Sequence, residues 1–255
     1  IAISIIFGAL LTKVGLYSII RTYGLFYYES NFIKSYILIL GAVSIIAGCI
    51  GTIYQKDLKQ IVIFNIVISL GVMVCGTATL NTFGVKGALF YAVNDILLKA
   101  ALFIVVGLII YVSGVKYLQK CGLINKYPLL GWTYFIIVLS LAGVPPFSGF
   151  YGKALIIKGL VTNNNTFIAI LVALSGLVVF YSLIRIFLNV FYDNINKSLI
   201  LKPLPKGVQI PLIAIVAIAL IIGVSTNLLD GFFDKGIQMV LNPQHYIDLV
   251  LKKGA

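Results

Sequence analysis

The chain has 255 residues, of which 61% are apolar and only 10% charged, and its mean hydropathy is +1.10. A soluble domain carries about a quarter of its residues charged, so too little charge remains here to coat a soluble surface, and lipid is the expected solvent. The net charge is +12, but most of the surplus sits in short segments between apolar runs. That arrangement fits topology control and attraction to anionic headgroups. It argues against nucleic acid as a partner, because the basic residues form no soluble patch.

The cysteines Cys49, Cys75 and Cys121 match no metal spacing, and the single histidine, His245, makes no metal site alone. No phosphate loop, catalytic triad, haem-ligand pair or iron–sulfur spacing is found, so neither a cofactor nor a metal is expected. The sequence opens on Ile1 inside an apolar run without a recognisable signal peptide. It therefore reads as lacking an upstream part.

Taken in order, the apolar runs predict an all-α, polytopic membrane bundle of about seven spans. The first covers about 1–25 and holds Lys13. The second and third cover 35–54 and 59–80. The fourth, 87–111, contains Asp95 and Lys99. The fifth, 131–161, is too long for a simple helix and is interrupted by Gly143-Val144-Pro145-Pro146-Phe147-Ser148-Gly149. Two consecutive prolines end an α-helix, so Pro145, Pro146 and Gly149 mark a helix break. The sixth and seventh spans cover 166–190 and 210–226. The stretch 229–251 mixes Asp230, Asp234, Lys235 and Asp248 with apolar residues and reads as an interfacial amphipathic helix. The expected division is a transmembrane bundle over 1–228 and an amphipathic tail over 229–255.

Charge decides whether 131–161 is one broken span or two. As one span, it leaves Lys56, Lys59, Lys116, Lys120, Lys126, Lys197, Lys202 and Lys206 on one side, with Arg21, Lys34, Lys86 and Lys158 on the other. The first side is then cytoplasmic by the positive-inside rule, and the C-terminal tail lies outside. As two spans, it moves Lys197, Lys202 and Lys206 across and removes most of the asymmetry. One discontinuous helix is the better reading, and such breaks commonly mark ion sites near the midplane.

Lys13, Lys99 and Lys153 lie well inside spans, where each costs roughly 2.5–3.5 kcal/mol near a helix centre. Snorkelling accounts for Lys158 and Arg185, which lie near span ends, and equally for Arg21 and Lys34. It does not reach Lys99, about twelve residues and so roughly 18 Å of rise from either end of its span. Asp95 precedes Lys99 by one turn and shares its helix face. The pair either neutralises charge for insertion or tunes a proton-carrying lysine, and both readings require it. Asn94 adds a polar group at the same depth. Lys153 follows the break, where freed carbonyls face a cavity. Asn65 and Ser69 form a polar pair one turn apart, either an interhelical hydrogen-bonding pair or the lining of a water path.

Four segments carry a family resemblance. They are Ala-Leu-Leu-Thr-Lys-Val-Gly-Leu-Tyr at 9–17, Gln-Lys-Asp-Leu-Lys-Gln at 55–60, Asn-Asp-Ile-Leu-Leu-Lys-Ala-Ala-Leu-Phe at 94–103, and Leu-Ser-Leu-Ala-Gly-Val-Pro-Pro-Phe-Ser-Gly-Phe-Tyr-Gly-Lys at 139–153. In this combination and order the chain resembles the proton-pumping membrane subunits shared by respiratory complex I, membrane-bound hydrogenases and the multisubunit Mrp/Mnh-type cation/proton antiporters. The wording at 99–103 and 148–153, with Asn-Pro-Gln-His-Tyr at 242–246, is most similar to the D-subunit branch of the antiporters.

The resemblance implies about fourteen helices in two inverted repeats, of which this chain supplies the last seven. On that basis 1–30 is the linking helix, 31–192 the second half-channel repeat and 208–228 the last span. Lys13 matches the family's bridging lysine, Lys99 its central lysine and Lys153 the lysine of the second broken helix. The family's membrane glutamate and first broken-helix lysine lie upstream of Ile1. Relatives often carry histidine near Asn94 and Ser69, and its absence here leaves a histidine relay without support.

The implied function is a lysine-based proton path in a subunit of a Na+/H+ antiporter, with no redox centre of its own. It implies other antiporter subunits as partners in a hetero-oligomeric plasma-membrane complex. Two alternatives stay open: a proton-translocating membrane subunit of an NADH:quinone oxidoreductase or membrane-bound hydrogenase, and an inactive structural fragment.

Overall fold

The computed structural model describes residues 6–27, 30–192, 201–205, 207, 209–224, 231, 237 and 240. A π-helical turn, Ile6–Leu11, leads into α1 (Thr12–Phe26). Then follow α2 (Asn31–Tyr54), α3 (Leu58–Ala78), α4 (Thr82–Ser113), α5 (Pro128–Ala142), α6 (Ser148–Thr162), α7 (Thr166–Ile186) and α8 (Gln209–Val224). A second π-helical segment, Phe187–Tyr192, extends α7. Most of the expected amphipathic tail, including Asp230, Asp234, Lys235, His245 and Asp248, falls outside the described residues, as do Lys197 and Lys206.

Local chemistry sets the helix ends. Asp57 accepts from the backbone N–H groups of Lys59 and Gln60, at 2.8 and 3.3 Å, and so caps α3. Asn81 caps α4 by accepting from Gly84 N at 2.7 Å. α4 stops at Gly114 and α5 at Gly143, with φ of 71° and 84°, left-handed conformations that glycine adopts without strain.

Among the described residues, four helices are each long and apolar enough to cross a membrane: α2, α3, α4 and α7 with its π-helical extension. The remaining described α-helices, α1, α5, α6 and α8, have 15 or 16 residues. α5 and α6 have 15 residues each, about 22 Å apiece, so only the two in tandem cross a hydrocarbon core of about 30 Å. The fifth span is therefore discontinuous, with its break at 143–147. α4 runs five residues further toward the N-terminus than the apolar run suggests, because Asn81 caps it before the hydropathy rises.

Backbone contacts group the loops by face. Leu58 N donates to Lys116 O at 3.0 Å and Leu118 N to Lys56 O at 2.9 Å, an antiparallel bridge between Asp57 and Tyr117. Lys202 N donates to Val112 O at 3.0 Å, and Tyr127 Oη to Lys202 O at 2.9 Å. Lys56, Lys116, Lys126 and Lys202 thus share one face, as the one-span reading requires. At the opposite end, Asn81 Nδ2 donates to Gly159 O at 2.7 Å and to Thr162 Oγ1 at 2.9 Å, and Asn163 Nδ2 donates to Thr79 O at 2.6 Å. These bonds clasp the α3–α4 turn to the end of α6.

α3 and α4 form the centre of the bundle, with Leu58, Ile61, Val62, Val72, Leu98 and Ile109 all fully buried. α2 and α7 turn apolar faces outward, including Phe32, Ile39, Val43 and Ile50 on α2 and Phe167, Ile170, Leu174 and Leu177 on α7. Lipid suits such faces. Hydrophobic burial cannot drive helix association against lipid tails, so close backbone packing carries more of the load. Gly41 and Gly71 supply it between α2 and α3: a Cβ on Gly71 would lie 2.8 Å from Gly41 O and 2.9 Å from Ile45 N.

Arg185 departs from the snorkelling expectation. Its Nη1 donates to Ile53 O at 3.0 Å and its Nη2 to Gln55 O, so it closes the C-terminal carbonyls of α2. Gly71→Leu is expected to wedge α2 from α3 and lose about 1–3 kcal/mol, the usual cost of overpacking. Thermal unfolding of the detergent-solubilised protein, with Gly15→Leu at an open position as control, checks this.

A lysine–carboxylate centre at the helix break

α4 and α6 run antiparallel through a row of small residues. A Cβ on Gly159 would strike Gly84 N at 2.5 Å, one on Gly87 would strike Ile156 N at 2.7 Å, and one on Gly152 would touch the Tyr91 backbone. The same row brings Ser148, the first residue of α6, to Asn94, whose Oδ1 accepts the Ser148 hydroxyl. The break therefore lies level with Asn94 and Asp95, near the middle of α4. Every predicted site residue can be placed relative to that level.

Among the described residues, the buried charged side chains are Lys13, Asp95, Lys99 and Lys153, between 0% and 7% exposed. Three buried lysines thus accompany one buried carboxylate. The sequence pairs Asp95 with Lys99 on one helix face, but the structure pairs it elsewhere. Asp95 Oδ2 lies 2.5 Å from Lys13 Nζ of α1. The reason is that α1 brings its ammonium to the carboxylate from a separate helix, and Ser69 Oγ of α3 joins the same oxygen at 3.1 Å. The Ser69 hydroxyl also lies 2.9 Å from Ile66 O, so its one proton serves either acceptor. The Lys13 contact is an ion pair by distance without hydrogen-bond geometry, and Asp95 Oδ1 accepts no hydrogen bond.

Lys99 follows Asp95 by one turn and is 1% exposed. Its depth excludes snorkelling, as the span length predicts.

Lys153 has a defined partner set. Its Nζ donates to Ala142 O at 2.8 Å and to Leu141 O at 3.0 Å. These are the last two residues of α5, whose carbonyls have no partner within the helix. A cation suits the negative end of a helix dipole, and the Tyr91 ring adds a face 5.6 Å away. Upstream in the same turn, Leu139 O accepts from Gly143 N at 3.2 Å and Val144 N at 3.1 Å. The break is closed by backbone turns on one side and by a lysine on the other. The sequence places Lys153 near exposed carbonyls. The donor role itself needs α6 to resume beside the end of α5 after the break.

Asn65 and Ser69 do not act as one pair. Asn65 Nδ2 donates to Ile61 O at 2.8 Å, to Ser182 Oγ at 3.2 Å and to Thr52 Oγ1 at 3.4 Å, while Ser69 turns to Asp95. Sequence reasoning missed Thr52, Ser182 and Ser148. Each is a small hydroxyl in an apolar helix, and its only sequence signal is polarity within a span.

Residues 1–178 match the family described as "NADH:quinone oxidoreductase/Mrp antiporter, TM". The chain is 39% identical over 259 residues to the D-subunit of the Na(+)/H(+) antiporter of Bacillus subtilis, covering 99% of this chain and 52% of that protein. It is 35% identical to a putative antiporter subunit mnhD2 of Staphylococcus aureus, covering 96% of this chain and 50% of that protein. It thus spans about half the length of the curated relatives it matches.

Among solved structures, a chain of the Mrp complex from Dietzia sp. DQ12-45-1b superposes with a TM-score of 0.91 at 22% identity, over 98% of this chain and 55% of that one. A chain of an archaeal membrane-bound sulfane sulfur reductase superposes at 0.78 with 25% identity, over 86% of this chain and 38% of that one. One from respiratory complex I of Thermus thermophilus gives 0.75 at 22% identity, over 89% and 48%. At 22% identity the Dietzia and Thermus matches establish the fold alone. With the family match covering most of its length, the chain belongs to the NADH:quinone oxidoreductase/Mrp antiporter transmembrane family of membrane proteins.

Proposed function

We propose that this chain forms a lysine-based proton path within a subunit of a multisubunit sodium/proton antiporter of the plasma membrane. One observation carries the reading: three buried lysines and one carboxylate, from α1, α4 and α6, meet at the level of a helix break. Unit charges in such an interior interact by roughly 4 kcal/mol at 4 Å with an effective dielectric of 20. A proton gained or lost by one lysine is therefore felt by the next.

In this reading Lys13 links the charge state of upstream sequence to Asp95. Asp95 divides its field between Lys13 and Lys99, and Lys153 exchanges protons at the break. Residues 31–192 act as the second of two half-channels, with 1–30 as the link and 208–228 as the last span. Other antiporter subunits are the partners, H+ and Na+ the ions. Sodium coupling rests on the name of the Bacillus subtilis relative. The positive-inside rule makes the lysine-rich face cytoplasmic, and α8 leaves that face toward an external C-terminus. The 39% identity to an antiporter subunit favours this reading over a redox-complex subunit.

Lys99→Ala, introduced into the complete antiporter with its partner subunits, is expected to abolish cation/proton exchange in everted vesicles while the complex still assembles. Normal exchange would sink the proposal. Lys153 needs two variants, because it both closes α5 and carries a proton in this scheme. Lys153→Met leaves two carbonyls unpaired at about 1–3 kcal/mol each, and is expected to lower the amount of assembled protein. Lys153→Arg keeps the donors but does not release its proton. Its expected result is normal assembly with exchange lost. Full exchange in Lys153→Arg would make Lys153 a cap alone.

A further inference from the structure

α2 ends at the lysine-rich face, so its first turns lie toward the opposite one. There α1, α2 and α3 line a groove of about 480 Å³, within the roughly 300–1,000 Å³ of pockets that take one small molecule. Its α2 wall runs from Ile33 to Ser44, about 16 Å along the helix axis. Exposed apolar side chains on the same two helices, among them Val14 and Phe26 of α1 and Ile39 and Val43 of α2, open it onto a surface suited to lipid.

The groove changes character along its length. At its outer end stand Tyr27 and Tyr36, about half exposed, whose hydroxyls make no hydrogen bond among the described residues. Lys34, in the first turn of α2, sets a cation at that level and has no ion-pair partner among the described residues. Further in, the lining is Ile19, Ile37, Leu40 and Val74. The other hydroxyls of the lining are turned to helix carbonyls. Thr22 Oγ1 donates to Ser18 O at 2.8 Å, Ser44 Oγ to Leu40 O at 2.8 Å and Tyr23 Oη to Ala78 O at 3.4 Å.

These features select the occupant. A buried water needs two to four polar partners, and apolar cavities stay dry, so the inner part is not a water site. A helix about 10 Å wide fills roughly 1,200 Å³ over the same length, more than twice the groove, and would lie over it rather than in it. An acyl chain is slender and apolar along its whole length. Aromatic rings with polar tips sit at headgroup level in membrane proteins, and a lysine there attracts phosphate. The order of groups, cation and phenols outside and aliphatic walls inside, matches a phospholipid from phosphate to chain.

We propose that this groove binds one phospholipid of the bilayer, with an acyl chain along Ile19, Ile37, Leu40 and Val74 and its phosphate at the level of Lys34, Tyr27 and Tyr36. The bound chain braces α1, the helix that brings Lys13 to Asp95. The site does not depend on the proton-path reading, and it is tested without transport.

The complete complex is placed in phosphatidylcholine nanodiscs containing a small fraction of phosphatidylglycerol with a diazirine midway along one acyl chain. After illumination, mass spectrometry maps the labelled residues. Labelling of the groove residues of α1 and α2 is expected to exceed, several-fold, labelling of the outer face of α7 at Phe167, Ile170 and Leu174, which meets bulk lipid. Leu40→Trp, which fills the groove from a half-exposed position, is expected to bring it down to the α7 level while α7 labelling stays unchanged. Lys34→Gln is expected to lower it several-fold, as is a diacylglycerol probe with the same chains and no phosphate. Groove labelling no stronger than on α7 overturns the proposal, and is the result if a partner subunit or the chain's own C-terminal segment covers this face. Equal labelling by the two probes overturns the assignment to a phospholipid.

Discussion

Hydrocarbon offers no hydrogen bonds, and that constraint shapes this molecule more than any single contact. A backbone group freed inside the bilayer must find its partner within the protein. The chain nevertheless breaks a helix near the middle of the bundle, with Gly143 leaving α5 in a left-handed turn. The carbonyls of Leu141 and Ala142 are then open, and the Lys153 ammonium answers both. The charge needs polar surroundings and the broken helix needs a donor. Each makes the other tolerable.

The same constraint explains the crowding at the centre. Lys13, Ser69 and Asp95 come from three helices and share one carboxylate oxygen. Isolated buried charges are expensive, and pairing recovers much of the loss. One carboxylate among three buried ammonium groups pairs closely with one of them. The others depend on helix carbonyls, an aromatic face and position along α4. Such a centre responds to the arrival or departure of a single charge, which is the property a proton path requires.

Much of this was legible in the sequence, for physical reasons. Two adjacent prolines cannot continue a helix, so the break could be read directly. Basic residues sort by membrane face, and that sorting identified one discontinuous span, in agreement with the hydrogen bonds joining Val112, Tyr127 and Lys202. The depth of Lys99 followed from helix rise alone. Partnerships between helices were not legible. Helical spacing pairs Asp95 with Lys99, and nothing local reveals that α1 brings Lys13 closer. Arg185 looked like a snorkelling side chain because its bonds to Ile53 and Gln55 join residues about 130 positions apart. Thr52 and Ser182 carried no sequence signal beyond being polar in apolar helices.

The stitching of the helix ends has a consequence for how anything crosses. On the lysine-rich side, the bridge between Asp57 and Tyr117 and the bonds from Lys202 and Tyr127 tie three connecting segments into one strap. On the opposite side, Asn81 and Asn163 fasten the α3–α4 turn to the end of α6. A bundle laced at both rims resists the rocking by which many carriers expose a site first to one side and then to the other. The scaffold is built less like a hinged gate than like a fixed frame.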